Sequence, residues 1–265
     1  GLDDFGDTIR PPSHAARIVS LNPTTTEILF ALGAGARLVG RTQYDSRPDS
    51  ARFVADLGPG VRPNIEAVLA ADPDLILLYA SEDNRGAAHR FHEAGIATAA
   101  FKVDRIEDFD RLTRLLGRVI GDSARGALVA DTVMRTLDSA RTLTRGLPRP
   151  SVLIPAWDAP LIVIGGGSFM SQLVEIAGGR NVYDSLTTPS PTVAFEDIVR
   201  RDPDLVLVGP ESAQRLRGNR KWRALRAVRE GKLLILDTAL VLRPAVRLGE
   251  GAMSLVRLLH PEVRR

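Results

Sequence analysis

Followed as alternating apolar and polar positions, the chain writes one phrase twice. NIEAVLAADPDLILLY, from Asn64 to Tyr79, returns as AFEDIVRRDPDLVLVG, from Ala194 to Gly209. In each copy, apolar residues at helical spacing (Ile65, Val68, Leu69; Phe195, Ile198, Val199) predict a short amphipathic helix. An Asp-Pro-Asp turn stops it, because proline drives the preceding residue out of helical geometry. A run with no polar alternation follows, Leu75–Tyr79 or Leu205–Val208, and such runs suit parallel strands buried on both faces.

The correspondence extends outward. Arg17–Leu21 predicts a strand, NPTTTE a loop, Glu27–Leu32 a helix closed by Gly33, and Leu38–Gly40 a second short strand. In the other half, Ser151–Ile154 predicts a strand, SFMSQLVEIAGG a helix closed by glycine after an intervening detour, and Asn181–Tyr183 the matching apolar piece. A helix around Gly86–Ala94, a strand at Ala97–Phe101 and a helix from Ile106 to near Ile120 finish the first half. A helix near Trp222–Val228, a strand at Leu233–Leu236 and a helix from near Gly249 to Leu259 finish the second. Tandem duplication of one α/β unit accounts for the shared order.

Between the halves, Leu128, Val133, Leu137 and Ala140 recur at helical spacing, in a run that ends at Gly146 and Pro148. About 23 helical residues would reach roughly 35 Å, a strut rather than a flexible tether. The expected fold class is therefore α/β: two three-layer lobes with short parallel sheets joined by one long helix. The expected divisions are residues 1–121, the connecting helix at 122–148, and residues 149–265.

An apolar content of 44% over 265 residues supplies two such cores. No uninterrupted apolar stretch of about 18 residues exists, so no membrane span is expected. The chain opens GLDDFGD, without a basic flank or apolar run, so a signal peptide is expected to be absent from it. The net charge is +3, and lysine occurs only at Lys102, Lys221 and Lys232. No basic block interleaved with aromatics is present, so no nucleic-acid partner is expected. With no cysteine, disulfides and thiolate ligands are excluded. GGGSF lacks the spacing of a phosphate loop and of a nucleophile elbow, and the histidines show no zinc spacing. Its glycines imply a tight turn and close approach to a ligand or neighbouring loop. No catalytic residue, metal site or cofactor is expected, although an α/β enzyme remains an alternative. No heptad or local repeat implies a fixed oligomer, so a monomer is expected.

Taken together, RIVSLNPTTTEILFALGAGARLVGRTQYDSRP, the repeated phrases, the long helix, and GGRNVYD with TPSPTVAFEDIV resemble the helical-backbone (class III) periplasmic substrate-binding proteins of ABC importers. The resemblance runs from about Ala16 to Leu259, and VGRTQYDSRP with TPSPTVAFEDIV is most like the vitamin B12-binding members. It implies a ligand cleft between the lobes, location in the periplasm or on the outer face of the cytoplasmic membrane, and permease subunits of an inner-membrane importer as partners. It also implies that Glu66 and Glu196, one on each lobe, dock onto arginines of those subunits. Their position in the first turn of each helix equally fits favourable interaction with the helix dipole, and both roles can coexist.

Ligands of open α/β sheets bind beyond the carboxyl ends of the strands. There the chain offers Asn22, Thr24 and Thr25 of NPTTTE, Tyr44 and Asp45 of QYDSR, and Tyr79. The second half offers Trp157, Phe169, Leu242 and Arg243. With only 3 tyrosines and 2 tryptophans in the chain, their placement at strand ends is informative. Aromatic and aliphatic walls with sparse polar contacts suit a large amide-bearing ring, so cobalamin is the expected transported ligand. A ferric siderophore, met by Arg47, Arg85, Lys102 and Arg243, and haem, ligated by Tyr44 or Tyr79, are the alternatives.

Overall fold

The computed structural model describes residues 2–9, 15–241 and 243–263. It divides into two compact units, one holding Gly1–Val103 and Glu107–Thr132, the other Asp104–Ile106 and Val133–Arg265.

The first unit runs β1 (Ile18–Leu21), α1 (Pro23–Ala31), β2 (Leu38–Gly40), α2 (Ile65–Ala70), β3 (Leu75–Tyr79), α3 (Glu82–Glu93), β4 (Ala97–Phe101) and α4 (Ile106–Val119). Its four strands are parallel in the order β2-β1-β3-β4. All of β1 and most of β3 are buried, which is why neither strand alternates in sequence. Val19, Leu21, Ile76 and Leu78 pack with Val68 of α2 and Phe91 of α3.

A single helix, α5 (Ser123–Thr144), follows, and the division between the units falls inside it. Its 22 residues bury Ala130, Val133, Leu137 and Ala140. Leu128 departs from the expected apolar stripe and is 53% exposed. The helix stops at Thr144, short of the expected 148, because proline at 148 and 150 cannot continue the hydrogen-bond ladder.

The second unit repeats the first. It contains β5 (Ser151–Leu153), a hairpin of β6 (Pro155–Asp158) and β7 (Leu161–Val163), α6 (Phe169–Ile176), β8 (Arg180–Asn181), α7 (Phe195–Arg201), β9 (Leu205–Val208), α8 (Pro210–Gly218), α9 (Arg226–Arg229), β10 (Leu233–Ile235), α10 (Thr238–Val241) and α11 (Leu248–Leu259). Its four-stranded sheet is ordered β10-β9-β5-β8. Counted from its own first strand, that is the same 2-1-3-4 topology, again parallel. The long detour before α6 is the antiparallel hairpin.

The repeated phrase builds the same latch in each unit. Asp72 and Asp202, with φ of 51° and 40°, close α2 and α7 in the left-handed region, where Asp is among the tolerated residues. Two residues on, the Asp74 carboxylate accepts from Ala16 N and Arg17 N at 2.7 and 3.1 Å. The Asp204 carboxylate likewise accepts from Ser151 N and Ser151 Oγ at 2.9 and 2.7 Å. Each aspartate thereby ties the start of one strand to the start of the next. Hydrogen bonds donated by the Ser151 amide and hydroxyl, followed by Arg226, hold Asp204 at a pKa of about 2.

Three expectations are corrected. NPTTTE is not a loop, since α1 begins at Pro23 with Asn22 as its N-cap. Proline at the first helical position is pre-set for that geometry. The segment at Trp222–Val228 is not one helix but a 3-10 turn over Trp222–Ala224 followed by α9. Trp222 is buried edge-on against Phe195, with centroids 5.4 Å apart. The segment that leads from β10 to Arg243, expected beyond a strand end as TALVLRPAVR in loop form, is not all loop, because Thr238–Val241 forms α10.

Candidate functional site

The 2-1-3-4 order makes the chain reverse direction across the sheet beside β1, and α/β sheets bind ligands beyond the strands' carboxyl ends at such a point. In the first unit a pocket of about 350 Å³ lies there. Leu21, Asn22 and Pro23 at the exit of β1, Thr42 and Tyr44 beyond β2, and Tyr79 at the end of β3 form its walls with Pro59, Gly60 and Val61. None of these side chains is charged.

Three expected residues, Asn22, Tyr44 and Tyr79, thus share one pocket. Tyr44 presents a ring that is 60% exposed. Asn22 is 6% exposed, and its Oδ1 accepts Thr24 N at 3.0 Å. Thr24 and Thr25 are buried instead of lining the pocket. Thr25 Oγ1 donates to Asn22 O at 2.8 Å and belongs to a hydroxyl cluster with Ser20 and Thr26. Asp45 is also buried, and its two carboxylate oxygens accept from Thr26 and Thr42. That carboxylate fixes the turn from which Tyr44 projects.

Two contributors were not legible beforehand. Gly60 sits so close to β1 that a Cβ would lie 2.3 Å from Leu21 O, so only glycine lets its loop form the wall. Asn84, fully buried in the first turn of α3, holds that loop against β3: its Nδ2 donates to Gly60 O and Tyr79 O, each at 3.0 Å, and its Oδ1 accepts Arg62 N at 3.0 Å. An asparagine in YASEDNR carries no sequence signal that separates it from an ordinary surface residue.

In the second unit Trp157 lies on β6, 60% exposed, its indole N–H donating to Ala159 O at 3.0 Å. Phe169 opens α6 and is only 9% exposed. Arg243 is half-buried beyond α10, and Leu242 lies outside the described residues. The glycines of GGGSF approach the neighbouring loop, where Cβ atoms on Gly165 and Gly167 would meet Thr188 O and Thr187 O. Ser168 caps α6 by accepting Met170 N at 3.2 Å.

Glu66 and Glu196 are both exposed in the first turns of α2 and α7. Neither is the cap: Asn64 accepts Ala67 N at 3.1 Å to start α2, and α7 has no side-chain cap. Among the described residues, no group of three or more potential metal ligands occurs.

Twin parallel sheets of one topology, a shared long helix and a neutral strand-end pocket describe a solute-binding protein. The family model described as "Periplasmic binding protein" matches residues 18–240, and the chain belongs to that family. It is thus a periplasmic ligand-binding protein that delivers a small solute to an inner-membrane ABC importer. The "Vitamin B12-binding protein" of Vibrio vulnificus (strain YJ016) is 24% identical over 198 residues, covering 75% of this chain and 72% of that one. The crystal structure of the periplasmic vitamin B12 binding protein BtuF of Vibrio cholerae superposes with a TM-score of 0.82 at 22% identity, covering 96% of this chain and 100% of that one. The periplasmic heme-binding protein RhuT of Roseiflexus sp. RS-1, in apo form, also gives 0.82, at 23% identity, covering 92% and 99%.

Proposed function

We propose that the solute is a corrinoid of the vitamin B12 kind, carried without chemical change by a single chain. The observation that supports this most is the first unit's pocket, with aromatic and aliphatic walls, an asparagine amide and no charged side chain. A corrin ring is broad, flat and edged with neutral carboxamides, so apolar area and a few directed hydrogen bonds suit it. Siderophores and haem propionates bring negative charge, which is costly to desolvate without cations. The vitamin B12-binding relatives favour the same reading. At about 350 Å³ the pocket would take one edge or side arm of so large a molecule. Asn22, Tyr44, Asp45 and Tyr79 would serve directly or as supports, and Trp157, Phe169 and Arg243 are the second unit's candidates.

Calorimetric titration with cyanocobalamin should give one site per chain, and protein freed of unbound ligand should keep the corrin absorption bands. Haem is the second reading, because two tyrosine rings share the pocket and a phenolate can ligate haem iron. Retention of haemin with no corrin band would replace the first reading by the second.

Glu66 and Glu196 are proposed as the docking points for the importer's permease subunits. Paired with arginine, exposed carboxylates supply orientation and encounter rate more than affinity. Charge reversal of both to lysine should leave solute affinity unchanged and sharply reduce uptake in reconstituted vesicles. Unchanged uptake would remove the assignment.

A further inference from the structure

Asn22 is a carboxamide locked in one orientation. Only an oxygen can accept Thr24 N, which lies 3.0 Å from Oδ1, so the amide cannot flip and Nδ2 must occupy its other arm. That nitrogen is buried and has no acceptor among the described residues. The residue is 94% buried in consequence of its 6% exposure, yet it lines the pocket. A buried donor left unmet weakens a fold, and it is tolerated where a ligand brings the missing acceptor.

We infer that Asn22 is a specificity-determining residue whose Nδ2 donates to a neutral carbonyl-type oxygen of the solute. The oxygen is neutral because the pocket walls provide no cation to offset the desolvation of an anion. The cap makes the residue a donor only, so a solute presenting an N–H or an apolar edge at that point is rejected. The inference rests on the solute entering this pocket, and the side-chain carboxamides of a corrinoid supply such an oxygen.

Asn22→Asp tests it by inverting polarity at nearly constant shape. An aspartate still accepts Thr24 N and suits a helix start, but at neutral pH it has no proton to give. Asn22→Ser keeps a capping oxygen without adding charge and removes the reach of the amide. Each variant and the wild type are titrated with cyanocobalamin and with haemin, and their melting temperatures are measured. We expect melting within a few degrees of wild type, cyanocobalamin affinity about tenfold weaker for Asn22→Ser, and roughly a hundredfold weaker for Asn22→Asp. Cyanocobalamin affinities within twofold of wild type in both variants overturn the inference and leave the corrinoid reading standing. Binding of haemin instead, weakened in both variants, overturns the corrinoid reading and also the neutral-oxygen inference, because the oxygens of haemin are carboxylates. Haemin binding that neither variant alters, or no binding of either probe by the wild type, overturns both.

Discussion

The helices α2 and α7 occupy the same place in the repeat, and they are held by different means. α2 is started by the Asn64 cap and has Ala67 and Ala71 where α7 has Asp197 and Arg201. α7 has no side-chain cap and is clamped instead. Asp197 in its first turn accepts from Arg201 Nε at 2.7 Å, and Arg201 Nη1 donates to Val182 O at 2.6 Å. The guanidinium sits 4.3 Å over the ring of Tyr183, which is fully buried. The hydrogen bond that Arg201 donates, chiefly, lowers the Asp197 pKa. The clamp ties α7 to the segment leaving β8; α2, with alanine at both matching positions, is held at its end by Arg17, which donates to Ala71 O and Asp72 O at 2.6 Å each. After duplication the turn that joins helix to strand stayed alike, whereas the fastening of each helix was solved separately.

The comparison breaks most visibly at the latches. Asp74→Ala and Asp204→Ala should each lower stability in urea unfolding by about 2 kcal/mol, because each strips several backbone or hydroxyl donors of a charged acceptor. A loss at only one of them would mean that the repeated turns are alike in shape alone. Acid sharpens the point. With a folded pKa of about 2, below the unfolded value, Asp204 stabilises fully above pH 4 and loses that contribution as pH falls from about 4 to 2. Since its side chain is 46% exposed, about 1 kcal/mol is the expected size after screening. The stability gap between wild type and Asp204→Asn should close over that interval. The smallest effects concern the caps. Asn64→Ala should cost about 1 kcal/mol, and Ala194→Ser, placed at an extended position with φ of −81°, should gain about 0.5 kcal/mol for α7.

Much of the fold was legible because its strands are short, apolar and set off by Asp-Pro-Asp. β4 matches its expected bounds, and β3 and β9 do likewise. Misplacement occurred where local preference and tertiary setting disagree. Three consecutive β-branched threonines argue against a helix, yet in α1 they are buried, and Thr25 and Thr26 bond inward with Ser20. Leu128 fits the helical spacing of α5 but faces solvent. For the site, strand-end aromatics were visible as composition, and Tyr44 and Tyr79 do line one pocket. The loop at Pro59–Val61 and the asparagine that fastens it were not, because a polar side chain used internally has the same one-letter code as one used in water. Asp45 illustrates the same ambiguity, being buried on two threonines although it reads as a pocket wall.

The division between the units falls between Thr132 and Val133, in the middle of an unbroken helix. Each half of α5 is therefore part of a hydrophobic interior: Ala130 on one side, and Val133, Leu137 and Ala140 on the other, are all buried. A gene fragment cut at the ends of the helix would express one domain missing a wall and another trailing a greasy spike. Shuffling domains between relatives would have to splice inside the helix, with its rotational phase preserved.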